Sequence, residues 1–146
     1  MELTSSAFRS GEPVPVRHTC DGEDVSPALA WDDVPAATHE LALIVDDPDA
    51  PGRVFTHWLA WGIRPESGEL GEGEAAPREG RNDFGAAGYR GPCPPVGHGP
   101  HRYVFTLHAL GESLQLADAS SRRDLERALE GRALATAELV GTYERV

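Results

Sequence analysis

Glycine and proline set the first limit on what this chain can fold into. Sixteen glycines and twelve prolines are spread through its 146 residues. Short strands joined by many turns fit between such interruptions, whereas long helices do not. Leu41 to Val45 is a short apolar run ended by acids and proline, which predicts a strand covered on both faces. Val54 to Ile63 alternates, with Phe55, His57, Leu59, Trp61 and Ile63 on one face and Thr56, Trp58, Ala60 and Gly62 on the other. Tyr103 to Leu110 and Ala137 to Tyr143 supply two more strands, and Val14 to Thr19 and Val25 to Trp31 two weaker ones.

One helix is signalled. Ser120 or Ser121 caps it, Asp124 lies in its first turn, Leu125, Ala128 and Leu129 form its apolar stripe, and Gly131 ends it. Its outer charges pair at i,i+4, as in Arg122 with Glu126, which reads as a solvated face. Residues 64–100 carry almost no periodicity, and a loop of that length inside a compact domain tends to be functional. With no repeat and no linker, residues 1–146 read as a single, mostly β domain with a helix near its C-terminus.

The formal charge is −11, and it is lopsided. Residues 1–75 hold 15 acids and 4 bases, while residues 76–146 hold 9 of each, and every base is arginine. Such a domain repels extended polyanions, so no nucleic acid and no anionic membrane surface is expected as a partner. Any small anion must be held by local groups. No apolar run approaches the ~20 residues of a membrane span, so no integral membrane association is expected. The N-terminal segment lacks the basic and apolar regions of a secretory signal. Cys20 and Cys93, without CxxC spacing, read as two reduced thiols, and a cytoplasmic location is expected.

Three clusters carry chemistry. Asp46-Asp47-Pro48-Asp49-Ala50-Pro51 follows a buried strand; it is a turn by composition, but its carboxylates repel one another unless donors or cations stand nearby. His57, between Phe55 and Leu59, is kept neutral by burial and reads either as a core histidine or as a ligand-binding one. Gly88 to Tyr103 is a rigid Gly/Pro loop delivering His101 and Tyr103 to a strand. Its prolines offer sites for a cis bond, and its glycines let N–H groups converge on an anion. His98 and His101 with Asp47 or Asp49 suit a metal, and Cys93 an activated thiolate, but the spacings are generic. No metal, cofactor or catalytic residue is assigned. The motifs GxSxG, GxxxxGK[ST] and HExxH are absent.

Taken together, Asp47-Pro48-Asp49-Ala50-Pro51, His57, Gly91-Pro92-Cys93-Pro94-Pro95 and His101-Arg102-Tyr103 resemble the signature of the phosphatidylethanolamine-binding protein family. The segments from Thr19 to Pro27 and from Gly80 to Gly85 resemble its bacterial branch, often labelled Raf-kinase-inhibitor-like. The similarity runs from Ser5 to Tyr143. It implies a mainly β fold, with a central antiparallel sheet packed against a smaller sheet and a short helix near the C-terminus. It also implies an anion pocket near a cis peptide, built from Asp47, Asp49, Phe55, His57, Cys93, His101 and Tyr103, and a homodimer. His18 departs from the branch, which usually has an aromatic residue there, and is a candidate donor near the site.

The leading functional expectation is a binding protein for a small anionic or zwitterionic ligand, phosphate-like or phosphoethanolamine-like, without catalysis. Histidine N–H, tyrosine O–H and backbone N–H donors can hold a phosphate without lysine. An aspartate in the same pocket favours a zwitterion or monoanion over a dianion. Two other classes compete: an enzyme of small-molecule metabolism reusing the Asp47, His57 and His101 cluster for acid–base chemistry, and a kinase-inhibitor-like interaction module.

Overall fold

The computed structural model describes all 146 residues. Eight strands form two antiparallel sheets: β1 (Glu2–Thr4), β2 (Leu29–Asp32), β3 (Glu40–Asp47), β4 (Phe55–Ile63), β5 (Glu69–Leu70), β6 (Arg78–Glu79), β7 (His101–Leu110) and β8 (Ala133–Tyr143). The central sheet has the order β6-β4-β3-β7-β8, and the small sheet the order β1-β2-β5. This is the two-sheet, mainly β architecture that the resemblance implies.

The sheets pack through a 19-residue apolar cluster to which Leu3, Leu29, Trp31 and Leu70 come from the small sheet and Val45, Trp58, Phe105 and Leu107 from the large one. The opposite face of the large sheet carries a second cluster, where Ile44, Leu59 and Trp61 meet Leu125 and Leu129 of α1 (Arg122–Leu129). Central strand β3 is therefore apolar on both sides, which is why its sequence does not alternate. Helix α1 starts in a reciprocal cap: Ser121 Oγ accepts from Asp124 N–H at 3.1 Å, and Ser121 N–H donates to Asp124 Oδ2 at 3.2 Å. Gly131, at φ +69°, follows its last turn. Arg122 does more than pair with Glu126, since it also reaches Asp46 on the sheet at 2.7 Å.

Several local expectations fail, each for a backbone reason. Val14 to Thr19 is not a strand; Val16–His18 is a 3₁₀ turn behind Pro15, closed by His18 N–H on Pro15 O. Of Val25 to Trp31, only Leu29 onward pairs, because Pro27 cannot donate to a ladder. Strand β4 also does not keep one alternation. Two bulges interrupt it, one at His57 between Trp58 and Thr56, the other around Gly62 between Ile63 and Ala60. Leu59 and Trp61 consequently face α1, whereas His57 stands on the same face as Trp58, and Ile63 returns to the inter-sheet core. Gly62 takes φ +69°, a conformation unfavourable for a residue with a Cβ.

Cys20 and Cys93 are not free thiols. They form a disulfide with Cα atoms 5.4 Å apart. The turn of Val16–His18 brings Cys20 onto the Gly91–Pro95 loop, where Cys20 N–H also donates to Pro92 O.

Candidate ligand-binding cleft

The three aspartates after the buried strand go to three different places. Successive residues of β3 face opposite sides. Asp46 points toward α1, accepting Thr56 Oγ1–H at 3.0 Å and Arg122 at 2.7 Å; burial nevertheless pushes its pKa up, because desolvation outweighs both partners. Asp47 points the other way and is almost fully buried against His101, with Nδ1 2.6 Å from Oδ2. Its Oδ1 accepts the N–H of Asp49 at 2.8 Å. Asp49 lies past the strand end, where Arg102 binds it through both its backbone N–H and its guanidinium and holds its pKa down to about 2.

Asp47, His57, Cys93, His101 and Tyr103 line one cleft of about 290 Å³. Strands β3, β4 and β7 deliver four of them, and the Gly91–Pro95 loop delivers Cys93. Asp47, His57 and His101 are each no more than 3% exposed. The bulge in β4 turns His57 toward Tyr103, ring centres 5.2 Å apart, and its Nδ1–H donates to Arg90 O at 2.7 Å. Burial lowers the His57 pKa despite that bond and the nearby Asp47 and Asp24 carboxylates. Burial, with Asp47 alongside, likewise raises the Tyr103 phenol. Phe55 forms an apolar wall beside His57, 5.3 Å between ring centres. Asp49 does not line the cleft; its carboxylate is turned outward onto Arg102.

Some wall residues were not singled out from the sequence. Phe84 stands edge-on to both Phe55, at 4.9 Å, and His57, at 5.4 Å, yet remains 43% exposed at the rim. The turn that presents it is built by Asn82, whose Oδ1 accepts from Phe84 N–H and Ala86 N–H. The turn is anchored to β4 where Asp83 Oδ2 accepts from Thr56 N–H. Its signal was an aromatic residue between an Asn-Asp turn and a glycine. Pro51, Pro94 and Pro95 complete the wall, and Arg53 and Arg90 stack over Phe55 and Phe84 at 5.8 and 5.9 Å.

Other sequence-level candidates lie elsewhere or do other work. His18 is buried under its own turn, with Nδ1 on Val25 O at 2.9 Å, and takes no part in the cleft. His98 bonds His101, Nδ1 to Nε2 at 2.6 Å. Asp47, His101 and His98 thus stand in a hydrogen-bonded row, and no three potential ligands converge on a metal position. The loop glycines do not form an anion nest: Gly91 N–H donates to Asp24 Oδ1 and Gly97 N–H to Arg145 O. All peptide bonds are trans, including those at the loop prolines, which corrects the implied cis bond; Gly91 lets the loop pack on His18 O, where a Cβ would come within 2.0 Å. Cys93 is sealed in the disulfide and is no thiolate.

A larger cleft, about 750 Å³, lies between α1 and the opposite face of the sheet. Its most enclosed ionic groups, Arg122 and Asp46, are paired with each other, Arg122 also with Glu126, while Arg123 and Arg127 of the helix and Glu130 at its end line it without an ion pair. The smaller cleft instead gathers buried titratable groups with unspent hydrogen-bonding capacity, which marks it as the functional candidate.

An antiparallel sheet whose strand ends and Gly/Pro loop enclose a buried Asp–His pair with a tyrosine defines a small-ligand-binding class of β protein. The family model described as phosphatidylethanolamine-binding protein matches residues 4–144, and the chain belongs to that family. It is 47% identical to a UPF0098 protein of Aquifex aeolicus over 152 residues, covering 99% of this chain and 89% of that one. A UPF0098 protein of Methanothermobacter thermautotrophicus is 46% identical, with 99% of each covered. Among solved structures, Escherichia coli YbcL, described as a new member of the mammalian PEBP family, superposes with a TM-score of 0.93 at 34% identity, covering 99% of this chain and 98% of that one. The His/Asp pocket is of the kind typical of ligand binding in this family.

Proposed function

We propose that the chain is a member of the bacterial Raf-kinase-inhibitor-like branch that binds a small ligand through a phosphate-bearing or carboxylate-bearing group, without catalysing a reaction. The buried Asp47–His101 pair beside an unpartnered Tyr103 hydroxyl carries this reading. The cleft, about 290 Å³, suits a headgroup-sized ligand better than a long substrate. Arg53 and Arg90 at the rim supply the local positive charge that the acidic chain otherwise lacks. An Asp47 carboxylate inside favours a zwitterion such as phosphoethanolamine, its ammonium near the carboxylate.

Calorimetric titration with phosphate and with phosphoethanolamine tests the reading. Saturable binding of either, lost in His57→Ala, is expected. Binding that survives His57→Ala places the ligand outside this cleft, and tighter binding of plain phosphate removes the ammonium role of Asp47. Light scattering of the same samples checks the homodimer. The disulfide removes the thiol-based ground for a cytoplasmic location, since such bonds are rare in reducing compartments.

A further inference from the structure

A separate cavity of about 270 Å³ is lined by Asp24, Glu74 and Glu79 and by no arginine or histidine. The three acids come from different stretches of chain: Asp24 follows the Val16–His18 turn, Glu74 lies between β5 and β6, and Glu79 ends β6. None has an ion-pair partner, whereas Glu23, Glu72 and Asp83, near them in sequence, each hold an arginine. Each is fixed instead by one neutral donor: Gly91 N–H on Asp24 Oδ1, Gly71 N–H on Glu74 Oε1 and Trp58 Nε1–H on Glu79 Oε2, all at 2.8 Å. The second oxygen of each carboxylate has no partner in the protein, and no charge is neutralised.

Two further features of the cavity point to a ligand. Ser26, only 4% exposed, lines it. The Ser26 hydroxyl makes no hydrogen bond in the protein and, unlike the Thr38 and Tyr103 hydroxyls, is not sealed from solvent, so an incoming donor can reach it. Trp58 and Tyr89, packed edge to face with ring centres 5.4 Å apart, add an aromatic wall, and aromatic rings attract organic cations. No three acidic, His or Cys side chains converge on a metal position, so the negative charge is spread around the wall instead of focused on one ion. A cavity walled by one sign of charge concentrates ions of the other.

We propose that this cavity binds an organic cation through a primary ammonium group, whose N–H donors meet the free carboxylate oxygens and the Ser26 hydroxyl while its charge lies beside the Trp58 and Tyr89 rings. Three like charges facing one space destabilise one another, and a bound cation relieves that repulsion. The volume lies near the lower end, about 300 Å³, of small-molecule sites and suits a short alkylamine. A free amine and the lysine side chain of another protein offer the same group. The two cavities share no lining residue, so this site stands apart from the anion-binding reading and either can fail alone.

The indole N–H of Trp58, bonded to Glu79, is a built-in reporter in proton–nitrogen NMR of the full chain. The chain is titrated at constant ionic strength with putrescine, Nα-acetyl-lysine methylamide, tetramethylammonium, 1,4-butanediol and calcium chloride. Both primary amines are expected to move the Trp58 signal saturably while the Trp31 and Trp61 indole signals stay in place. Tighter binding of putrescine assigns the ammonium to a free amine, and tighter binding of the capped lysine assigns it to a protein side chain; either supports the site. Butanediol is expected to move nothing. Equal binding of tetramethylammonium, which has no N–H, overturns the ammonium assignment, and so does a Trp58 response to calcium at lower concentrations than to either amine. Glu79→Gln keeps an acceptor for Trp58, and Asp24→Asn keeps one for Gly91 N–H. Each is expected to weaken amine binding about fivefold or more. Glu74→Gln, at an exposed position, repeats the test where folding is least at stake. Glu112→Gln removes the same net charge away from the cavity and is expected to change nothing. Equal weakening by Glu112→Gln and Glu79→Gln shows attraction to the acidic chain as a whole and overturns the proposal, as does the absence of a saturable response to both amines.

Discussion

Asp46, Asp47 and Asp49 stand within four positions, and mutual repulsion is avoided because the backbone sends each to a different partner. Their titrations should therefore separate. Asp49, with its guanidinium and backbone donors, is expected to titrate near pH 2 by carboxyl-carbon NMR. Its folded-state pKa lies below the unfolded value of about 3.9, so its stabilisation is complete above that value and fades as pH falls toward 2. Arg102→Ala should return the Asp49 pKa to the ordinary carboxylate range, at a stability cost of about 1 kcal/mol or less, because the pair is largely exposed. His57 shows the same sign by another route. Burial depresses its pKa, so below about 6.5 the unfolded chain takes up a proton that the folded chain resists, and stability falls with pH. Urea unfolding from pH 7.5 to 5 should show a slope for the unaltered chain that flattens in His57→Gln.

At the scale of elements, β4 decides the site. Its alternation was legible from Phe55 to Ile63, and so was the apolar run of β3, because both follow from burial periodicity. The bulges were not legible, since a one-residue insertion in a ladder leaves no mark on hydrophobic spacing; yet the bulge at His57 turns that ring into the cleft. Gly62 marks the second bulge. Gly62→Ala would place a Cβ at φ +69° and 3.3 Å from Arg78 Cγ, and is expected to lower unfolding free energy by about 1–2 kcal/mol in urea. The helix was readable from its cap and stripe, and Ser121→Ala should cost about 1 kcal/mol by the same measurement. Five of the seven residues expected at the site converge as polar groups on the cleft and Phe55 walls it, while Asp49 points away. Short polar side chains just past a strand end choose partners in three dimensions, and Arg102, which claims Asp49, is 53 residues distant in sequence. Phe84 was missed for the same kind of reason: its place depends on how the Asn82 turn docks on β4.

Across the whole molecule, the disulfide joins the acidic first half to the charge-balanced second half and does so at the cleft itself. Cys20 belongs to the segment around the Val16–His18 turn, and Cys93 to the loop that lines the cleft, where its backbone N–H makes no backbone hydrogen bond. The two cysteines are 73 residues apart. Closing a loop of that length in the unfolded chain is worth about 4 kcal/mol in the chain-entropy account, with measured losses of about 2–5 kcal/mol when small domains lose such a bond. The bond also has a local consequence. Without it, the loop is still held by Cys20 N–H on Pro92 O, Gly91 N–H on Asp24 and Arg145 on Pro94 O, so the cleft should persist with a less fixed Cys93 N–H. Reduction, or the double change Cys20→Ser and Cys93→Ser, should lower the unfolding free energy measured in urea by an amount within that range and weaken phosphate binding several-fold. A full stability loss with unchanged affinity would show that the three hydrogen bonds alone position the loop and that Cys93 N–H needs no covalent support to act on the ligand.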